Sequence, residues 1–181
     1  MRIGIIATPR SGGKAFGEWM SLELGIPFYH EPHTFKTEIT SDKWIQKWLV
    51  GEWWDMVWKG IQPEGDKWIR LWREDSKEVA ISTIKARESG EWHTQYTLTE
   101  DWIKERENEI LTETKRVDSD REWLKSFKGE LDITYEGIYN SGGDIQRVID
   151  YLGIDEPKYL HMLDSSLRLR GDKRNKTKRL I

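Results

Sequence analysis

The chain has 181 residues, with 29 Lys and Arg against 32 Asp and Glu, and no cysteine. That length fits one domain that can bury a core without covalent staples; the missing cysteine excludes a disulfide scaffold, a thiolate zinc site and a cysteine nucleophile. No apolar run approaches the roughly 18 residues of a membrane helix, and the opening run Ile3–Ala7 is too short for a signal-peptide core, so a cytoplasmic protein without a membrane partner is expected.

The chain opens with a short apolar strand, Arg2–Ala7, ended by Thr8-Pro9. Arg10-Ser11-Gly12-Gly13 is a polar turn. From Lys14 to Leu24, Phe16, Trp19, Met20 and Leu24 fall at helical spacing, and Gly25 supplies a stop. Residues 25–33, bracketed by prolines, read as a short strand and a loop. Asp42–Lys59 holds Trp44, Trp48, Trp53, Trp54 and Trp58, and spacings of three and four predict helix broken near Gly51. Lys67–Arg73 alternates as a strand, with Trp68, Arg70 and Trp72 on one face and Ile69 and Leu71 on the other. Glu74–Ser89 reads as a helix ended by Gly90. Thr99–Phe127 reads as mostly helical, interrupted near Asp118-Ser119-Asp120. Leu131–Tyr135 is a strand, and Asp144–Leu152 an amphipathic helix with Ile145, Val148, Ile149 and Leu152 on one side. Strands alternate with helices, so the fold class is α/β, with a central parallel sheet between helical layers.

Charge is uneven. Arg168–Ile181 carries seven Lys and Arg and one Asp, a local +6 that leaves −9 for the rest of a chain whose net charge is −3. Such a tail is either an anion site or a solvated end. Of the eleven tryptophans, Trp44, Trp48, Trp68 and Trp72 read as core or groove lining; an exposed Trp53-Trp54 pair would mark a homodimer interface or a lid.

The strongest chemical signal is Thr8-Pro9-Arg10-Ser11-Gly12-Gly13-Lys14, between a buried strand and a helix. Backbone N–H groups at such a turn surround an anion, the helix N-terminus adds positive charge, and glycine lets the backbone approach. Arg10 and Lys14 add full charges and Ser11 a hydroxyl. The plainer alternative is a basic turn with no ligand. A Walker A loop wants Gly, four residues, then Gly-Lys-Ser/Thr. Gly13-Lys14 fit, but Thr8 and Ala15 occupy the outer positions, and Ala15 removes a magnesium ligand. No Rossmann Gly-x-Gly-x-x-Gly is present.

Pro9-Arg10-Ser11-Gly12 resembles the 5′-phosphosulfate loop of sulfotransferases, Pro-Lys/Arg-Ser-Gly-Ser/Thr-Thr; Gly13 and Lys14 stand where that family has hydroxyl residues. A second segment extends the resemblance: Ile69–Asp75, then Val79-Ala80-Ile81-Ser82, then Gly90-Glu91-Trp92-His93, is similar to the 3′-phosphate segment of bacterial trehalose-type sulfotransferases. Asp132–Glu136 followed by Ile145–Gly153 is similar to that family's late strand, loop and helix. The resemblance implies a P-loop-NTPase-like three-layer fold over residues 1–181. It implies a donor, 3′-phosphoadenosine 5′-phosphosulfate (PAPS, product PAP), and no metal. Arg10, Ser11, Gly12, Gly13 and Lys14 would hold the 5′-phosphosulfate. Arg73 and Ser82 would hold the 3′-phosphate, and the basic segment 168–181, through Arg168, Arg170, Lys173 and Arg174, would close over it.

Sulfuryl transfer needs in-line positioning, charge neutralisation and a base for the acceptor proton. Arg10 stands to stabilise the leaving phosphate. Glu31 resembles the family's acidic position after the first helix and is the first choice for the base; His30, His33 and His93 are the alternatives, with His93 also able to orient the acceptor. Flat aromatic faces, Trp92 among them, suit a saccharide or other small hydroxyl acceptor. The competing readings are a P-loop small-molecule kinase or nucleotide hydrolase, which magnesium dependence would reveal, and a non-catalytic nucleotide-binding relative. Nucleic acid is not an expected partner: the basic tail is short and the body acidic.

Overall fold

The computed structural model describes residues 1–61, 64–91, 98–127 and 129–163. Its elements are β1 (Arg2–Ala7), α1 (Gly13–Leu24), β2 (Phe28–His30), β3 (Trp44–Leu49), α2 (Val50–Trp58), β4 (Lys67–Trp72), α3 (Ser76–Ser89), α4 (Glu100–Glu105), α5 (Glu107–Ser126), β5 (Leu131–Thr134), α6 (Tyr135–Tyr139) and α7 (Gly143–Leu152). A 3₁₀ turn follows at Leu160–Leu163. The five strands are all parallel, in the order β2-β3-β1-β4-β5.

Strand alternation divides the core into two layers. Ile3, Ile5 and Ala7 of β1, with Ile45, Ile69, Leu71 and Ile133, face Phe16, Trp19 and Met20 of α1 and Val148, Ile149 and Leu152 of α7. Ile6, Trp44, Trp48 and Trp72 face the other way, against Trp53 and Met56 of α2 and Leu124 of α5. Helices therefore cover both faces, as an all-parallel sheet requires. Burying each such apolar side chain contributes roughly 1.5–3 kcal/mol. The second layer is mainly indole: Trp48 stacks on Trp68 at 5.8 Å, and Trp53 meets Trp68 edge-on at 5.2 Å. Gly4 makes room for this layer, since a Cβ there would lie 2.2 Å from the Trp68 ring.

The α/β class, the parallel sheet and the alternation of Lys67–Trp72 agree with the sequence reading. Three local readings are corrected. Trp44–Leu49 is a strand, because β1 offers it a full parallel register from Arg2↔Trp44 to Ala7↔Leu49. A Trp44–Trp48 spacing of four satisfies both strand and helix periods, so periodicity could not separate them. The break in the long polar helix falls at Arg106, whose ψ of 15° leaves the helical range. Asp118 and Asp120 stay helical: Asp118 accepts from Ser76 Oγ at 2.5 Å and Asp120 pairs with Arg116 at 2.6 Å. Trp53 is not an exposed interface residue. It is 5% exposed, while Trp54, at 43%, packs on Trp123.

Candidate active site

β1 is central, with β3 on one side and β4 on the other, so the connections after β1 and β3 leave the sheet where the strand order reverses. Open parallel sheets bind ligands in the crevice at the carboxyl ends of such strands. The loop between Ala7 and Gly13 sits there. Its start is pinned by Thr8 N–H donating to the Leu71 carbonyl at 3.0 Å. Two residues adopt left-handed backbone, Arg10 at φ 61° and Gly12 at φ 77°. For Arg10 that conformation costs about 1 kcal/mol or more, a strain that clusters at ligand-binding loops.

Gly12 is fixed from the opposite side. Tyr139 of α6 donates its hydroxyl to the Gly12 carbonyl at 2.8 Å, and a Cβ at position 12 would lie 2.5 Å from the Tyr139 ring. Tyr139 packs on Tyr135 at 4.7 Å, and the Arg73 guanidinium lies 4.5 Å above the Tyr135 ring. One tyrosine pair thus spans from the loop to Arg73. Sequence reading missed α6; the only available signal was Thr134, whose hydroxyl caps Gly137 N–H at 2.9 Å.

The predicted anion ligands divide. Arg10 Nε donates to Ser82 Oγ at 2.7 Å, so the structure brings these two together. The Ser11 hydroxyl, expected to donate to an anion, donates instead to the Thr8 carbonyl at 2.7 Å and shapes the loop. Lys14 is half exposed, with its ammonium 4.0 Å from Glu18 along α1. The cation that lies against the loop is Lys47, a residue the sequence reading passed over. A Cβ at Gly13 would lie 3.3 Å from Lys47 Cε. Lys47 is 4% exposed at the carboxyl end of β3. Its only trace in the sequence is its place at alternate positions with Ile45 and Leu49, and that acquires meaning once β3 is paired beside β1.

Lys47 also ties the loop to the predicted base. Its ammonium donates to Glu31 Oε1, and Glu31 N–H donates to the Lys47 carbonyl at 2.8 Å. Glu31 takes a left-handed φ of 46°, and its side chain is 13% exposed. His30 Nε2 is 3.3 Å from Glu31 Oε1, and its ring stacks with Phe35 at 6.0 Å. Burial pushes the Lys47 ammonium down from the usual lysine value, while the charges of Glu31 and Glu52 pull it up. Burial likewise pushes Glu52 up, opposed by the hydrogen bonds it accepts from Thr34 and Leu49. His33 is separate from this cluster and pairs with Asp55 at 3.2 Å. The structure therefore places His33 beside Asp55, while Glu31 and His30 stand together.

Arg73 follows β4. Its Nη2 meets Glu78 at 2.5 Å and its Nε lies 3.7 Å from Glu136. Two buried donors in the region, Thr8 Oγ1 and Arg73 Nε, have no hydrogen-bond partner among the described residues. Unmade bonds of this kind are costly unless a ligand or water completes them. Together with the left-handed Gly12 and buried Lys47, they suit a polyanionic ligand. His93 with Trp92, and Arg168, Arg170, Lys173 and Arg174, lie outside the described residues. Among the described residues no group of three His, Asp or Glu is placed to share a metal ion, and no helix is long and apolar enough to cross a membrane.

No protein-family model matches the chain, and no curated protein is detectably similar to it. Among solved structures the chain is similar to mouse sulfotransferase SULT7A1 complexed with PAP, with a TM-score of 0.47 and 17% sequence identity. The match covers 87% of this chain and 60% of that one, so this chain spans less than two thirds of that structure's length.

Proposed function

We propose that the chain is a sulfotransferase that moves a sulfuryl group from PAPS to a hydroxyl acceptor, with a saccharide as the acceptor class. The observation that carries this reading is the meeting of three parts at the carboxyl edge of the sheet. These are the left-handed loop at Arg10 and Gly12, the Arg10–Ser82 hydrogen bond, and the Lys47–Glu31 pair against Gly13. The sequence resemblance of Pro9–Gly12 and Ile69–Ser82 to sulfotransferase segments supports the same assignment.

In this reading the loop backbone at Gly12 and Gly13, with Arg10 and Lys47, holds the 5′-phosphosulfate, and Arg73 and Ser82 hold the 3′-phosphate. When bound, the donor supplies an activated sulfuryl group on a phosphate leaving group. Arg10 and Lys47 neutralise charge on the oxyanions, and their preorganised positions make that stabilisation effective. Glu31 accepts the acceptor hydroxyl's proton, with His30 beside it to orient the carboxylate. The Lys47 ammonium donates to Glu31 Oε1 and holds the carboxylate in place beside the loop.

The test is calorimetric titration with adenosine 3′,5′-bisphosphate, against ADP plus magnesium. Magnesium-independent binding of the bisphosphate alone is the expected result and justifies a screen of sugar acceptors. Magnesium-dependent ADP binding with no bisphosphate binding overturns the reading in favour of a kinase.

A further inference from the structure

Helix α3 turns one stripe of side chains toward the two arginines. Glu78 and Ser82 are four residues apart and share a helix face. Ser82 Oγ accepts from Arg10 Nε at 2.7 Å, and one turn earlier Glu78 Oε2 meets Arg73 Nη2 at 2.5 Å. The two partners differ in freedom. The Arg73 side chain is 17% exposed and rests on the Tyr135 ring, so it stays where it is. The Glu78 side chain is 57% exposed and can swing into water. Arg73 Nε is buried and without a hydrogen-bond partner among the described residues; Glu136, at 3.7 Å, faces it without closing that bond. The guanidinium thus carries a removable anion and an unmade donor bond on the same Nε–Nη2 edge.

We propose that Glu78 is the specificity-determining residue of this pocket: its carboxylate occupies Arg73, and a ligand's distal phosphate binds there by exchanging with it. The inference rests on the reading of Arg73 as the 3′-phosphate site. A forked guanidinium takes a phosphate in two hydrogen bonds, and the exchange supplies the missing partner of Nε. Glu78, whose side chain is already 57% exposed, moves fully to solvent at little cost. The carboxylate then sets a threshold. A nucleotide with one phosphate leaves Arg73 paired with Glu78, and only a ligand bearing a second, distal phosphate displaces it.

The experiment measures affinity for adenosine 3′,5′-bisphosphate and adenosine 5′-monophosphate in the wild type, Glu78→Gln, Arg73→Gln and the double variant. Unliganded melting temperatures check that each variant folds, and Glu78→Ala serves as a second truncation. Glu78→Gln is expected to tighten the bisphosphate by about three- to tenfold, the scale of one half-exposed ion pair plus one relieved like-charge contact. It should leave the monophosphate unchanged, and the gain should vanish in the Arg73→Gln background. If Arg73→Gln weakens the bisphosphate while Glu78→Gln changes nothing, the exchange is overturned and the site assignment stands. Equal tightening of both nucleotides reduces Glu78 to a net-charge effect and also overturns it. If Arg73→Gln leaves bisphosphate affinity untouched, the assignment of Arg73 falls first and the inference with it.

Discussion

Arg10 and Ser82 are 72 residues apart in sequence, and the Nε of one donates to the Oγ of the other at 2.7 Å. This bond joins the loop after β1 to the middle of α3. It also sets the direction of a side chain that springs from strained, left-handed backbone.

Arg10→Ala is expected to lower sulfuryl transfer by about 10²–10³-fold, the usual loss on removing one preorganised charge stabiliser. Arg10→Gly is the sharper variant. At φ 61° glycine relieves about 1 kcal/mol of backbone strain, which offsets the lost hydrogen bond. Its thermal stability should stay within about 1 kcal/mol of wild type while turnover is lost. Retained turnover in either variant removes Arg10 from the mechanism.

Lys47 and Glu31 give opposite stability and activity signs. Lys47→Met alone strands a mostly buried carboxylate and should destabilise by about 3 kcal/mol. Lys47→Met with Glu31→Gln removes both charges and should melt at or above the wild-type temperature, yet transfer nothing. Denaturant midpoints and turnover of the two variants check this; an active double variant ends the assignment of Glu31 as base.

The same lysine predicts a pH trend. Burial holds the folded Lys47 below its ordinary value of 10.5, so the unfolded chain binds its proton more tightly. Stability from this group therefore rises as pH climbs through the window below that value. Unfolding free energies measured across alkaline pH should show a component of that sign in the wild type, absent in the double variant.

Gly12 and Tyr139 should fail in different ways. Gly12→Ala forces a Cβ toward the Tyr139 ring and into a left-handed conformation, a combined cost of about 2 kcal/mol or more. Tyr139→Phe removes one hydrogen bond to the Gly12 carbonyl, worth about 1 kcal/mol, and keeps the ring. Bisphosphate affinity should fall sharply in the first and mildly in the second. Equal affinities would mean that the loop conformation does not form the anion site.

Glu113 tests the far side of the fold. Burial alone would push it up, but Arg116 and Arg87 hold it below the usual carboxylate range. A carboxylate held down in the folded state stabilises above its unfolded value, and that contribution is lost as pH falls. Glu113→Gln should therefore be less stable than wild type at neutral pH and converge on it in acid. A constant difference at all pH values would show that the ion pairs are not its source.

The sequence by itself determined the elements whose signals are local. The β1–loop–α1 unit was legible because an apolar run, a glycine-bearing turn and helical spacing at Phe16, Trp19 and Met20 follow one another without a competing period. Helix α3 was legible from the helical spacing of Val79, Ala80, Thr83 and Ile84 and from Gly90, left-handed at its end; the Asp75 cap on Glu78 N–H, at 2.8 Å, appears only in the structure. The tertiary structure alone decided where pairing partners overrode local preference. Residues 44–49 became a strand because β1 and β2 both pair with it, which no window of that segment contains. Asp118 stayed helical because Ser76 and Arg121 occupy its carboxylate. The site followed the same division. Arg10, Glu31, Arg73 and Ser82 stood out in the sequence as candidates, and Lys47 did not. Its place in the candidate site depends on packing β3 beside β1, which carries a buried ammonium to Gly13 and Glu31 across distances in sequence that only the fold closes.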